Sequence, residues 1–365
     1  MTLLRAPSLG AAALRRSVAS KGGPVAAIEA LRCDPQVGAD TKRWLTAPDA
    51  TRLDLDETWL AAEAHHLIPF DSDDFPALLR DIPSAPPALF VIGDPTTLWL
   101  PQIAIVGARK ASAAGVANAR AFARAFVAAG FAVTSGLAEG VDGAAHAATL
   151  DAGGKTVAVF GTGIDLVYPR RHASLAQRIA AGGALVSEFP PGTTAQPHFF
   201  PRRNRLISGL SLGTLVVEAG LKSGSLTTAR FAADQGREVF ALPGSIHNPL
   251  SRGCHRLIRD GAKLVETAQD VLEDLHAMGA TLANGLRKRL DIAPKAPSFA
   301  ALAKRAVHDP DYACLLDALD DTPAALDELA ERTGLPAASL SSMLLVLELD
   351  GAVAAENGRF SRTVA

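Results

Sequence analysis

Gln102-Ile103-Ala104-Ile105-Val106-Gly107-Ala108-Arg109-Lys110-Ala111-Ser112 is the stretch that decides the fold. Its apolar run is too short for a helix and is rich in β-branched residues, so it reads as a strand. It stops at a glycine, and the alanine-rich amphipathic stretch Ala113 to Ala129 follows at once. Strand, glycine turn and helix form half of a βαβ unit.

The same unit recurs on both sides. Phe131 to Ser135, Thr156 to Gly161, Ala184 to Glu188, Thr214 to Glu218 and Glu238 to Leu242 are strand-length apolar runs that mostly end at Gly, Ser or Glu. Amphipathic stretches alternate with them: Ala138 to Ala152, Ala173 to Ala181 and Leu226 to Gln235. Strands apolar on both faces belong in a parallel sheet covered by helices on both sides. The expected fold is α/β: an extended Rossmann-like, doubly wound, mostly parallel sheet.

Farther out the pattern changes. Leu3 to Leu31 reads as two short helices around Ser20-Lys21-Gly22-Gly23-Pro24, and Leu55 to His65 carries more helical pattern. Asp71 to Pro101 holds six prolines and reads as an extended lead-in. Pro294 and Pro297 mark a linker. Beyond it, Asp311 to Leu319, Ala324 to Thr333 and Ala337 to Leu349 have helical spacing, and Val353 to Ser361 surrounds an Asn357-Gly358 hairpin turn. Three helices and a hairpin predict a winged-helix-like domain. The expected division is a small helical unit over 1–70, the Rossmann-like domain over 71–285, a linker over 286–302 and the winged-helix-like domain over 303–365.

At 365 residues, 48% hydrophobic and 20% charged, the chain can bury a large core, which excludes disorder over most of its length. No apolar run approaches the ~20 residues that span a bilayer, and Arg15 and Arg16 interrupt the one apolar stretch near the start. A cytoplasmic protein that does not enter a membrane is expected. Cys33, Cys254 and Cys314 suit neither a disulfide framework nor zinc spacing, so they read as reduced thiols. Net charge is −2 overall but uneven: 195–263 carries ten Lys/Arg against four Asp/Glu, whereas 307–357 carries one Arg against eleven acids. The first region suits a polyanion and the second does not.

Four turns bear chemistry. Gly107 lets a ligand approach the backbone, Arg109 and Lys110 follow, and Ser112 opens a helix whose N-terminus suits a phosphate. Ser135-Gly136-Leu137-Ala138-Glu139-Gly140-Val141-Asp142 ends the next strand and faces the same crevice. In Phe199-Phe200-Pro201-Arg202-Arg203-Asn204-Arg205, three guanidiniums crowd a helix start. Their repulsion calls for an anion, either a bound ligand or the acids of other loops, and the phenylalanines either stack on bases or pack in the core. Lys222-Ser223-Gly224-Ser225 and the hydroxyls Thr227 and Thr228 form a phosphate cradle, in which Ser225 also suits a helix cap. Arg252 and His255 close the basic region.

Other chemistries lack their signatures. Gly161-Thr162-Gly163 has Leu166 where the dinucleotide fingerprint needs a third glycine, which argues against a nicotinamide-dependent oxidoreductase. The histidines show no metal-ligand spacing, and neither a P-loop nor a G-x-S-x-G elbow occurs. No metal or cofactor is expected.

In combination, the turns resemble the DNA-processing protein A (DprA/Smf) family: Gly107-Ala108-Arg109, Ser135 to Asp142, Gly161-Thr162-Gly163 with Tyr168-Pro169, Ser187 to Gly192, Phe200 to Arg205 and Ser223 to Leu226. The resemblance covers about Asp74 to Val265. It implies a non-catalytic bacterial protein that binds incoming single-stranded DNA during natural transformation, dimerises and loads the RecA recombinase. Carried over position by position, phosphate binding falls on Arg109, on Arg202, Arg203 and Arg205, and on the Ser223 to Ser225 loop. His172 and His255 stand where the family often has Asn, which opens a pH-dependent contact.

The competing class is a Rossmann-like nucleotide phosphoribohydrolase-type enzyme with Glu218 as general acid or base, although its usual Pro-Gly-Gly-x-Gly-Thr loop is missing. In the acidic C-terminal region, Ala337 to Leu349 contains Glu348 and no Lys or Arg. Phosphates repel such a helix, so that domain is expected to contact protein and not duplex DNA.

Overall fold

A computed structural model describes residues 1–275 and, farther on, 310–319, 324–336, 340, 344, 347, 353–356 and 359–362. The chain forms two compact units, Met1–Leu290 and Asp291–Ala365.

Nine strands build the sheet of the first unit: β1 (His65–Pro69), β2 (Ala88–Gly93), β3 (Gln102–Val106), β4 (Ala132–Ser135), β5 (Thr156–Val159), β6 (Ala184–Ser187), β7 (Gly213–Val216), β8 (Glu238–Ala241) and β9 (Lys263–Leu264). Their order is β1-β2-β6-β5-β4-β3-β7-β8-β9. From β6 to β9 every neighbouring pair is parallel, and β2 joins β6 antiparallel with β1 outside it. All six expected strands are present. The supposed extended lead-in contains β2, and β1 begins at His65, where a helical pattern was expected.

Helices α1 (Ala11–Lys21), α2 (Pro24–Cys33), α3 (Ala39–Thr46) and α4 (Ala50–Leu60) precede the sheet. Gly22 and Gly23 take φ of +77° and +143° between α1 and α2, and Pro24 opens α2, so the predicted turn falls where its residues demand it. Asp56 of α4 is fully buried, receives Nε of Arg5 at 2.6 Å, and that guanidinium also donates to the Pro191 carbonyl at 2.8 Å. The N-terminal helices are thereby tied to the loop after β6.

Then come α5 (Ala77–Arg80), α6 (Ala113–Ala128), α7 (Val141–Asp151), α8 (Ala173–Gly182), α9 (Phe199–Leu210), α10 (Gly224–Asp234) and α11 (Arg252–Arg259). Alternation along β3 shows why the sheet is wound on both sides. Ile103 and Ile105 pack with Phe122 and Phe126 of α6, while Ala104 and Val106 share the opposite core with Leu206 and Leu210 of α9. All five residues of β3 are buried. Each large apolar side chain so buried contributes about 2 kcal/mol.

In the second unit, α12 (Pro310–Ala318) and α13 (Leu326–Thr333) accompany a three-stranded sheet of β10 (Ala324–Ala325), β11 (Val353–Glu356) and β12 (Arg359–Arg362). Glu356 pairs opposite Arg359, as a two-residue hairpin requires. Leu315, Leu329, Leu340, Leu344 and Leu347 share its core. The linker and most of the expected third helix, Ala337 to Leu349, lie outside the described residues.

Candidate nucleic-acid interface

From β3 the chain winds one way through β4, β5 and β6, then returns to place β7 on the other side of β3. The strand order therefore reverses between β3 and β7, and open α/β sheets bind ligands at the strand C-termini of such a switch point. A cleft of about 740 Å³ lies there. It gathers Gly107, Arg109 and Lys110 after β3, Arg203 and Asn204 from α9, and Lys222, Ser223, Gly224, Ser225 and Thr228 at the start of α10.

Within this cleft the cations differ. Arg109, Lys110 and Lys222 are exposed and form no hydrogen bond or ion pair with any described residue. Arg109 leans over the Phe200 ring at 5.9 Å. At the far wall Ser223 caps α10: its hydroxyl accepts from Ser225 N–H at 3.4 Å and lies 2.7 Å from the Ser225 hydroxyl. The helix start thus presents hydroxyls, N–H groups and positive dipole together.

Arg203 is different, being 5% exposed. Its Nη1 donates to the carbonyls of Gly136, at 2.8 Å, and Val159. The Asp142 carboxylate nearby accepts N–H from Gly136 at 3.1 Å and from Ala138 at 3.3 Å. Burial raises the Asp142 carboxyl pKa, and burial lowers that of Arg203 to about 10 despite Asp142. Gly136 is glycine because a Cβ would come within 2.5 Å of the Arg203 guanidinium.

Arg202 and Arg205 turn away to Glu188, whose side chain is 1% exposed. Arg205 holds it bidentately at 2.9 and 2.8 Å, and Arg202 adds a third bond at 2.9 Å. Glu188 thus supplies the anion for Arg202 and Arg205, while Arg203 is held by main-chain carbonyls with Asp142 nearby. The adjacent phenylalanines also part. Phe199 packs on Phe189 at 4.3 Å, whereas Phe200 lines the cleft against Tyr168 at 5.2 Å. Tyr168 is half exposed and lines both the cleft and a recess at its end. It was not among the sequence-derived site residues, and its place in the Tyr-Pro motif was the signal for it.

Ser112, Ser135, Arg252 and His255 do not line the cleft. Ser112 N–H and Oγ–H both donate to Glu218, at 2.9 and 2.5 Å. The buried Ser135 hydroxyl donates to Ile105 O at 2.6 Å. His255 Nε2 meets the Gly244 main chain at 3.0 Å from α11, where Arg252 also lies. His172 Nδ1 donates to Leu137 O at 2.9 Å. Among the described residues no His, Cys, Asp and Glu cluster could hold a metal, and no helix is long and apolar enough to cross a membrane.

Fold and cleft define a class: a doubly wound Rossmann-like protein with switch-point cations that no described residue neutralises, joined to a second, winged-helix unit. Residues 66–276 match the family model for DNA recombination-mediator protein A, and 294–359 match that of the DprA winged helix domain. Protein Smf of Escherichia coli is 45% identical over 307 residues, 83% of this chain and 79% of that one. DNA processing protein DprA of Streptococcus pneumoniae is 42% identical over 60% of this chain and 78% of its own. An X-ray structure of the pneumococcal protein superposes with a TM-score of 0.66 at 35% identity, covering 74% of this chain and 95% of that one. The structure of DNA processing protein A from Helicobacter pylori, described for its single-stranded DNA binding mode, gives 0.52 at 28% identity, covering 56% and 94%. The chain belongs to the DprA/Smf family.

Proposed function

We propose that this protein binds single-stranded DNA, without sequence preference, along the cleft between β3 and β7. The observation that carries this reading is the set of exposed cations Arg109, Lys110 and Lys222, unpaired among the described residues, around a hydroxyl-lined helix start. That set recognises successive phosphates, and Phe200 with Tyr168 offers stacking faces to bases of any identity. Asn204 is the one amide side chain lining the cleft, and it is already engaged: Nδ2 donates to Gly224 O at 3.2 Å and Oδ1 accepts from Arg203 at 3.2 Å. Its orientation is therefore fixed by the protein and not by a base. The Helicobacter relative's single-stranded DNA binding supports the same substrate here.

The protein acts without catalysis, as a cytoplasmic homodimer that protects incoming DNA in natural transformation and delivers it to RecA. Family membership supports the DNA-processing role. The partner and the dimer rest on the resemblance. Against the phosphoribohydrolase reading stands Glu218: the residue is 7% exposed and its carboxylate is occupied by Ser112.

Two parallel assays test the proposal. A fluorescent oligo-dT should bind at low salt, and mass spectrometry of nucleoside monophosphates incubated with the protein should show no released base. Base release without oligonucleotide binding would reverse the assignment.

A further inference from the structure

Glu218 and Ser112 meet at the switch point, one just beyond the end of β7 and the other capping α6 after β3. The Glu218 carboxylate accepts the Ser112 N–H at 2.9 Å and its hydroxyl at 2.5 Å, and Gly115 N–H donates to the same hydroxyl at 3.0 Å. The first turn of α6 is shaped for this carboxylate. A Cβ on Gly115 would run into it.

In doubly wound sheets, the N-terminus of the helix that follows the central strand ordinarily receives a nucleotide phosphate. Here α6 is 16 residues long, and the N–H and hydroxyl of its N-cap Ser112 are turned to an internal carboxylate that also lies against Gly115 in the first turn. We propose that Glu218 is a built-in anion that occupies the phosphate position at the switch point and bars mononucleotides and dinucleotides from it. A phosphate would have to displace a buried, doubly hydrogen-bonded carboxylate or share space with a like charge. The phosphates of a polymer are left to the outer cations Arg109, Lys110 and Lys222. Glu218 is thus a specificity-determining residue that separates this chain from nucleotide-binding proteins of similar topology. The inference concerns small nucleotides and stands whether or not the cleft binds a DNA strand.

Glu218→Ser opens the position, and Glu218→Gln keeps the packing while removing the charge. Thermal shift and titration calorimetry with ADP, inorganic phosphate and formate, each against sodium chloride of equal ionic strength, read the outcome. The wild type is expected to show no shift beyond the chloride control. Glu218→Ser should start with a lower Tm, regain part of it with formate or phosphate, and bind ADP at least tenfold more tightly than wild type. Glu218→Gln should show a smaller gain of the same sign, which preserves the test if the serine variant fails to fold. Equal ADP affinity in wild type and variants, or no response to any anion in either variant, would overturn the proposal.

Discussion

Of three arginines within four residues, Arg203 ends on main-chain carbonyls and Arg202 and Arg205 on Glu188, and burial sets what each substitution does. Removing Arg203 leaves Asp142 buried beside unsatisfied carbonyls, and removing Arg205 leaves Glu188 with one half-exposed partner. Either loss should cost about 3 kcal/mol or more in urea unfolding. Arg109→Ala should leave unfolding within about 0.5 kcal/mol and act on ligand binding alone. Unfolding curves of the three variants decide this, and equal costs would contradict the partition. The basic run was legible in the sequence, but its partners were not, because Glu188 and Asp142 reach it across the fold.

His146 gives a residue-scale test of pH dependence. Its Nδ1 meets Thr156 Oγ1 at 2.7 Å, and burial, with smaller contributions from His172 and Arg203, lowers its pKa from 6.5 to about 3. Below pH 6.5 the unfolded chain takes up a proton that the folded chain refuses. Stability from this group is therefore complete above about pH 6.5 and declines by about 1 kcal/mol per pH unit as pH falls toward 3. Denaturation midpoints between pH 7 and 5 should show this slope, and His146→Gln should flatten it.

At the scale of elements, the Gly136 to Asp142 turn is held from three sides. Asp142 accepts its N–H groups, Arg203 takes the Gly136 carbonyl, and His172 takes the carbonyl of Leu137. Leu137 is fully buried at φ +57°, a conformation that an L residue keeps only when its surroundings enforce it. His172→Ala should raise hydrogen exchange at residues 136–140 by about tenfold and weaken oligo-dT binding. His172→Asn, whose amide can stand in for Nδ1, should restore both. Unchanged exchange in the alanine variant would remove His172 from this role. The six apolar strands were legible because both their faces are buried. Helix α3 (ADTKRWLT) was missed, being short and largely polar, as were β1 and β9 at the sheet edges. Proline punctuation around β2 hid that strand.

At the scale of the molecule, the charge split separates the two units: the basic stretch 195–263 supplies part of the cleft, and the acidic stretch lies in Asp291–Ala365. Turn residues and hairpin spacing made the second unit's class readable. Deleting 300–365 should change oligo-dT affinity less than about threefold, because a strongly acidic unit adds no phosphate contacts. A large loss of affinity would assign that unit to the DNA site.

In the proposed function, the switch-point cleft holds single-stranded DNA through Arg109 and Lys222. Titration of fluorescent oligo-dT at several salt concentrations, with wild type and Arg109→Ala/Lys222→Ala, tests it most directly. The slope of log K against log salt should be shallower in the variant by about 0.7 for each phosphate that it no longer neutralises, with weaker binding at every salt. Identical slopes and affinities, or no binding by wild type at low salt, would contradict the account.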